Sequence, residues 1–421
     1  MTTTVRPPVG QWNPALSSAL ADRALSVAMD VAERVRGAAR GDRPDSPLAG
    51  GGAGIALLYG QLDRHQPGRG WDVTAHDFLR WGVRQTEQAG RMGPGLLVGF
   101  GGVAYAARLL SKGGTRYGGL VSTLDAQVSR WVLAAQPPGH GVRVGYFDVI
   151  AGASGIVPYL LDSGMEPELR HLLANLVDVC GNRDGLQNWH TPHDLIVNPL
   201  TAKHYPGGNL NCGLSHGSPG ILAAMSLAAS AGHEVPGQVE AMREVADWLL
   251  DNRIDDEHGP NWPTAVALPL GSAEPVLART TWCYGAPGVA RTLWLAGVAL
   301  GDRGLRTFAV ESMVAACERL PNDRQVNGAC LCHGFAGVLQ IVLRFAHDTG
   351  DPRFSAAAEM ITERLLACYR PDARFGFRSI EFDGSTGDQP GLLEGAAGVV
   401  LALLAATVPV TPTWDRAFVL S

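Results

Sequence analysis

The sequence predicts an all-α protein whose helices close into a ring, an α/α toroid of seven inner and seven outer helices with small β-hairpin and loop insertions. Two observations carry the prediction. First, a Gly-x-x-Gly element recurs seven times, as the pairs Gly51/Gly54, Gly99/Gly102, Gly152/Gly155, Gly217/Gly220, Gly285/Gly288, Gly334/Gly337 and Gly395/Gly398. The intervals of 48, 53, 65, 68, 49 and 61 residues fit two helices and a connection, and are too irregular for a thin solenoid. Second, each pair opens a run that is apolar nearly all round, such as residues 220–229 and 337–345. That is the pattern of helices buried on more than one side. Between them lie amphipathic segments such as 239–250 and 356–366, which read as outer helices with one wet face. Glycine at the start of each inner helix lets backbones crowd near the axis, where a Cβ would clash.

Along the chain, residues 1–47 read as an N-terminal segment with the first outer helix, and 48–421 as the body of a single toroidal domain. Residues 1–10 and 40–48 carry no periodic pattern and are expected to be loose. Three longer insertions interrupt the helical rhythm. Residues 189–211 have turn signals and room for a short β-hairpin. Residues 256–281, with Gly259, Pro260, Trp262, Pro263, Pro269 and Pro275, read as an ordered proline-rich loop. Residues 375–393 read the same way. All three lead toward pre-glycine positions, so they are expected to wall one end of the ring.

Composition excludes several classes. The 421 residues are 46% hydrophobic and 18% charged, as in ordinary folded proteins. A formal charge of −6 argues against a nucleic-acid surface, which needs clustered Lys and Arg. No secretory signal opens the chain. The longest apolar stretch, 396–410, is shorter than the ~18–20 residues that span a bilayer, so a cytoplasmic location without a transmembrane segment is expected. Seven cysteines is an odd number, which disfavours a disulfide framework and favours thiolate chemistry or metal binding.

Aligned on the first glycine of each pair, Cys283 falls opposite Cys332, and Tyr284 opposite His333 and His216. Equivalent positions in a repeated fold point the same way, so these side chains are expected to meet. Cys283, Cys332 and His333 form a three-ligand set, and zinc sites with three protein ligands and an open fourth position are typically catalytic. Two thiolates and one imidazole neutralise the cation, which suits it to holding an external thiolate rather than splitting water. A bound thiol ionises well below its free value of roughly 8.5. No CxxC or HExxH is present, so spacing alone leaves open that the cysteines are small buried hydrophobes. That simpler reading fits Cys180, Cys317 and Cys368; Cys330 reads as a bystander, and Cys212 could line the cleft. His216 is a candidate general acid or base. Asp148 could orient a histidine, bond a substrate amide or cap a helix. Arg279 can offset negative charge, and Tyr284 can donate to a developing enolate. Glu394 holds the matching place in the seventh repeat, where a solvated acid is equally consistent.

These residues sit in motifs that resemble a known family. They are Phe-Asp-Val-Ile-Ala-Gly-Ala-Ser-Gly at 147–155, Asn-Leu-Asn-Cys-Gly-Leu-Ser-His-Gly at 209–217 and Arg-Thr-Thr-Trp-Cys-Tyr-Gly-Ala-Pro-Gly at 279–288. Cys-His-Gly-Phe-Ala-Gly at 332–337 and Gly-Leu-Leu-Glu-Gly-Ala-Ala-Gly at 391–398 complete them. Together they resemble the lanthionine synthetase C-like cyclases, over residues 48–405. The resemblance implies a toroid with zinc at one end, held by Cys283, Cys332 and His333. It also implies catalytic roles for His216, Asp148, Arg279 and Tyr284.

The implied reaction is addition of a cysteine thiol to dehydroalanine or dehydrobutyrine in one dehydrated precursor peptide. The implied partners are that peptide, a separate dehydratase, since no dehydratase domain fits in this chain, and a membrane-bound modification and export complex. Departures from the pattern are Cys212, where a small or apolar residue is usual, and a weak first repeat. Competing readings are a relative that adds glutathione to dehydroamino acids and a non-catalytic scaffold. A six-repeat toroid acting on sugars is a third, and would need paired acids where only Asp148 and Glu394 are available.

Overall fold

A computed structural model of the protein describes residues 12–38, 46–137, 139–380 and 384–421. Sixteen α-helices succeed one another there: α1 (Ser18–Arg36), α2 (Gly52–His65), α3 (Trp71–Ala89), α4 (Gly101–Leu109), α5 (Gly118–Ala134), α6 (Val144–Phe147), α7 (Ala153–Ser163), α8 (Glu166–Cys180), α9 (Pro199–His204), α10 (Ser218–Ser230), α11 (Gln238–Asp251), α12 (Ala286–Ala299), α13 (Arg303–Arg319), α14 (Phe335–Thr349), α15 (Pro352–Ala367) and α16 (Ala396–Thr407). No helix among the described residues is long and apolar enough to cross a membrane.

The seven glycine pairs open α2, α4, α7, α10, α12, α14 and α16, and these touch one another in sequence order, with α16 returning to α2. That is the closed inner ring. Each inner helix is backed by the helix that follows it in the chain: α3, α5, α8, α11, α13 and α15. The last has none after it, and α1 takes that place against α16. The two ends of the chain therefore close the ring. Burial matches the sequence pattern. Every residue of α16 from Ala396 to Ala406 is buried, whereas α11 buries a stripe of Ala241, Met242, Val245, Ala246 and Leu249.

The glycines are demanded more locally than crowding at the axis implies. A Cβ on Gly337 would lie 2.0 Å from the carbonyl oxygen of Leu331, and one on Gly54 would lie 2.0 Å from that of Leu48. The same six-residue step back recurs in every repeat, so the second glycine packs on the turn of its own repeat. The neighbouring repeat is the next contact, as with Leu392 Cβ, 2.7 Å from a Cβ on Gly54. Gly285 is restricted twice, by φ +81° and by the Arg279 carbonyl oxygen 2.2 Å from its Cβ position.

Those turns join into a chain of backbone hydrogen bonds that links the seven repeats in turn, from Val149 round to Leu97. Val149 N–H donates to Ser215 O (3.0 Å), Ser215 to Cys283 (3.3 Å), Cys283 to Cys332 (3.3 Å), Cys332 to Leu393 (3.0 Å), Leu393 to Ala49 (2.8 Å) and Ala49 to Leu97 (2.9 Å). From Ser215 onward these residues all stand two places before the first glycine of their pair. The chain of bonds fixes the rim at the N-terminal ends of the inner helices. The opposite end is stoppered by the C-terminal 3₁₀ turn Thr413–Phe418 and the residues after it. Phe418 reaches up the axis, its ring 5.1 Å from that of Trp282 and its carbonyl accepting the Trp282 indole N–H at 3.2 Å.

Three expectations change. Residues 189–211 close on themselves through a single antiparallel bridge, Thr191 with Asn209, rather than through a two-strand hairpin. They hold α9, begun by Pro199 and capped by Asn198, and a strand at Asn209–Asn211 that pairs antiparallel with Ala265–Ala267. The partner strand is far along the chain, so local pattern could not reveal it. The segment 256–281 accordingly carries strand as well as loop, including part of the hairpin Ile254–Asp256 with Gly259–Asn261. The expectation of loose termini covers residues 1–10, which lie outside the described part. The same holds for most of 40–48, but Leu48 is described and fully buried.

Candidate metal centre and active site

The hydrogen-bonded rim explains how scattered residues meet. It pins one residue per repeat, and the next residue, immediately before the first glycine, is carried with it. In consecutive repeats that residue is His216, Tyr284, His333 and Glu394. The pinned residues of two of these repeats are Cys283 and Cys332. Inner-helix N-termini surround the group, and their positive potential favours anions there.

Ligand atoms of Cys332, His333 and Glu394 all lie within 4.8 Å of one another, a grouping able to hold a metal ion. Cys283 is outside that group of three and is joined to it by the backbone, its N–H donating to the Cys332 carbonyl at 3.3 Å. The neighbouring Cys332 lowers the Cys283 thiol to about 7 against the cost of burial, with help from the Thr281 hydroxyl at 3.4 Å and from the charges of Arg279 and His216. The Cys332 thiol moves the opposite way, raised by Cys283 beside it and by burial. His333 donates from Nε2 to the Ile380 carbonyl at 3.2 Å, so its lone pair is on Nδ1. A carbonyl-anchored imidazole of this kind is typical of a metal ligand. Two cysteine sulfurs and an oriented imidazole fit a zinc ion by donor chemistry.

Beside them, His216 Nδ1 lies 2.7 Å from Asp148 Oδ2. The carboxylate is an acceptor, so Nδ1 carries the proton and Nε2 is left for chemistry. Asp148 is 3% exposed at its side chain and His216 39%, which puts the anchor inside and the working ring at the surface of the cleft. The other Asp148 oxygen accepts from the N–H groups of Ala151 (2.8 Å) and Gly152 (2.9 Å). Its two sequence-level roles, holding the turn before a helix and orienting a histidine, are therefore both met. The Tyr284 ring is 6.5 Å from that of His216. Burial pushes its phenol well above the ordinary range, so it stays protonated. Its oxygen accepts from Asn211 Nδ2 at 3.1 Å, leaving its own hydrogen to donate. Arg279 is half-buried on the approach to Cys283.

Three contributors escaped sequence reasoning. Asn211 is held by accepting the Gly213 N–H at 2.9 Å and in turn orients Tyr284. Thr281 supports Cys283, and Ile380 supplies the carbonyl that turns His333. Asn211 lies inside a quoted motif, and an Asn two residues before a glycine was the available signal. Ile380 is set by backbone alone and leaves no residue-type signal. Cys212 does not line the cleft. It is fully buried, its sulfur 3.7 Å from the Leu210 carbonyl, and burial pushes its thiol up to about 12. Alternation along the strand explains it, since Asn211 faces the site and its neighbours face the core. Cys330 is likewise buried, its thiol raised to about 12.

Residues 44–419 match the family described as lanthionine synthetase C-like protein. The chain is 22% identical over 369 residues to the nisin biosynthesis protein NisC of Lactococcus lactis subsp. lactis, covering 85% of this chain and 84% of that one. It is similar in structure to nisin cyclase, with a TM-score of 0.77 and 20% identity over 96% of this chain and 98% of the other.

Proposed function

The chain belongs to the lanthionine synthetase C-like family, and from that premise we propose that it is a cyclase forming thioether rings in a peptide. The substrate is a precursor peptide in which a separate dehydratase has converted Ser and Thr to dehydroalanine and dehydrobutyrine. The product is the (methyl)lanthionine ring. One observation carries the reading: a cysteine pair and an oriented imidazole share one rim with an Asp-anchored histidine that is open to the cleft. The cytoplasm is the proposed location, with a membrane-bound modification and export complex as a further partner.

Cys283, Cys332 and His333 would hold a zinc ion, which supplies a Lewis acid able to keep a substrate cysteine as thiolate near neutral pH. Thr281 and the Ile380 carbonyl hold two of these ligands in orientation. Attack of the thiolate sulfur on the β-carbon forms the C–S bond and moves the C=C electron pair toward the α-carbon and its carbonyl. Tyr284, kept protonated by burial and positioned by Asn211, donates a hydrogen bond to the enolate oxygen. Arg279 offsets the same negative charge. His216, its Nδ1–H fixed on Asp148, takes up the proton released by the thiol at Nε2 and returns one to the α-carbon. The proton balance closes within the site.

Ring closure conserves mass, so the test counts free thiols. Incubated with a dehydrated precursor, the zinc-loaded protein is expected to remove alkylatable cysteines one for one with rings formed. Full retention of thiols would defeat the proposal. Consumption only when glutathione is supplied would favour an intermolecular addition instead.

A further inference from the structure

A second concave region lies toward the other end of the ring, and ring formation makes no use of it. A cavity of about 290 Å³ opens beside the C-terminal ends of α2 and α4. The start of α3, the turn from Leu110 to Tyr117 and Trp414 of the C-terminal 3₁₀ turn complete its lining. We propose that this cavity binds a small organic monoanion, a carboxylate carried on an apolar body. The inference is independent of the zinc reading, because no residue of the rim lines the cavity.

Charge is the first support, because the ionic groups of the lining are unequal in number. Lys112 meets Asp63 at 2.9 Å and Asp72 at 3.8 Å, and Arg116 meets Asp72 at 3.2 Å. Those two cations and two carboxylates cancel. Arg64 is left over. Its guanidinium donates to the Thr413 hydroxyl at 2.9 Å and to the Gln61 side-chain oxygen, both neutral, and it meets no carboxylate among the described residues. A second donor of the lining is also unanswered. Trp414 is 1% exposed, and its indole N–H is buried without an acceptor. Buried donors in folded proteins nearly always have one. A carboxylate brings what is missing, one negative charge and two acceptor oxygens. A phosphate monoester, at about −1.5 to −2, exceeds the charge left unbalanced.

Shape is the second support. The remaining lining is apolar, with Leu57, Ala75, Leu109 and Leu110. The volume stands at the lower end of ligand sites, roughly 300–1,000 Å³, which suits a body of about one aromatic ring and a short linker. The backbone keeps the space open against its own preferences. Gly60 lies inside α2, where helix propensity disfavours glycine, and a Cβ there would stand 2.3 Å from Leu110 Cδ2. Lys112 and Tyr117 take left-handed backbone, at φ +49° and +63°, without being glycine. Two of the four such residues among those described thus line this one cavity, and strain of that kind gathers at binding sites.

The test uses the full chain with 3-phenylpropionate as probe, binding being followed by ligand-detected NMR. The comparators are 3-phenylpropan-1-ol, the same body without the charge, and inorganic phosphate, a charge without the body. The acid is expected to bind with millimolar or tighter affinity, and both comparators about tenfold or more weakly. Arg64→Gln should weaken the acid about tenfold and leave the alcohol unchanged. Leu110→Phe, which fills the space, should remove binding of the acid. Denaturant unfolding and zinc uptake of both variants should match wild type, which separates lost binding from lost fold. N-acetyl-Gly-Phe reports the source of the carboxylate: binding tighter than the probe's assigns a peptide end, and weaker binding assigns a free acid. Either result upholds the site. Wild type that shows no binding at about 10 mM acid overturns the proposal, as does an acid affinity that Arg64→Gln and Leu110→Phe leave unchanged.

Discussion

The two ends of the ring are made from the same helices and treat charge in opposite ways. At the C-terminal end, Arg344 donates to both oxygens of Asp415 at 2.6 Å, and Gln340 (2.6 Å) and Ser421 (2.9 Å) complete that carboxylate's shell. Arg291 is met by Asp348 at 2.6 Å and by the Leu420 carbonyl at 2.9 Å. These ionic groups are answered within the chain, and the C-terminal residues fill the axis. At the N-terminal end the rim gathers two thiols, an imidazole and a carboxylate, and leaves His216 facing the cleft. One mouth is satisfied and serves as scaffold. The other gathers the groups of the proposed site, with Trp282 between them.

Substitutions at the two mouths should therefore fail differently. The largest effect is expected from Cys332→Ala at the open mouth. Thiol consumption should fall on the order of a thousandfold or more, the several kcal/mol that a metal-held charge contributes. Metal-free unfolding should stay cooperative. Arg344→Ala at the closed mouth should do the reverse. It strands Asp415 without its counter-charge and is expected to destabilise the fold by about 3–5 kcal/mol in denaturant unfolding, while the folded fraction still binds zinc. Undiminished stability there would erase the distinction between the mouths.

His216→Ala should lower ring formation by about a hundredfold or more and leave zinc affinity alone, since in the proposed mechanism the histidine moves protons and holds no metal. Acid separates the ends again. Burial opposes ionisation of Asp348, but Arg291 and the neighbouring donors hold its carboxyl well below the usual range. Its folded value is depressed, so its contribution is complete above the ordinary carboxyl range of ~4 and is lost only as pH falls toward that depressed value. Unfolding curves against pH should accordingly show zinc released before the closed mouth opens, because the ligands take up protons first. Asn211→Ala is the smallest change. It removes one hydrogen bond to Tyr284, about 1 kcal/mol, and should slow ring formation several-fold with no effect on zinc.

Much of this contrast was legible in the sequence, and what was not has physical reasons. The glycine pairs gave the number of inner helices, and their alignment brought Cys283, Cys332, His333, His216 and Tyr284 to one rim. Repeats make that possible because equivalent positions share a direction. The closed mouth left no such trace. Arg344 and Asp415 are 71 residues apart, and no periodicity announces that an arginine on an apolar helix will meet a carboxylate from the chain terminus. Asp148 was readable as a cap or as an orienting acid, and only coordinates show its two oxygens doing both. Cys212 was left open as a cleft residue, because the strand alternation that turns it inward is invisible until its distant partner is known.

X-ray absorption at the zinc edge tests the central claim most directly. For the wild-type chain the account predicts one zinc per molecule with two sulfur neighbours at about 2.3 Å and nitrogen or oxygen neighbours at about 2.0–2.1 Å. The sulfur shell should be halved in Cys283→Ala and again in Cys332→Ala. A zinc ion without sulfur neighbours, or a spectrum unchanged by either substitution, would contradict it.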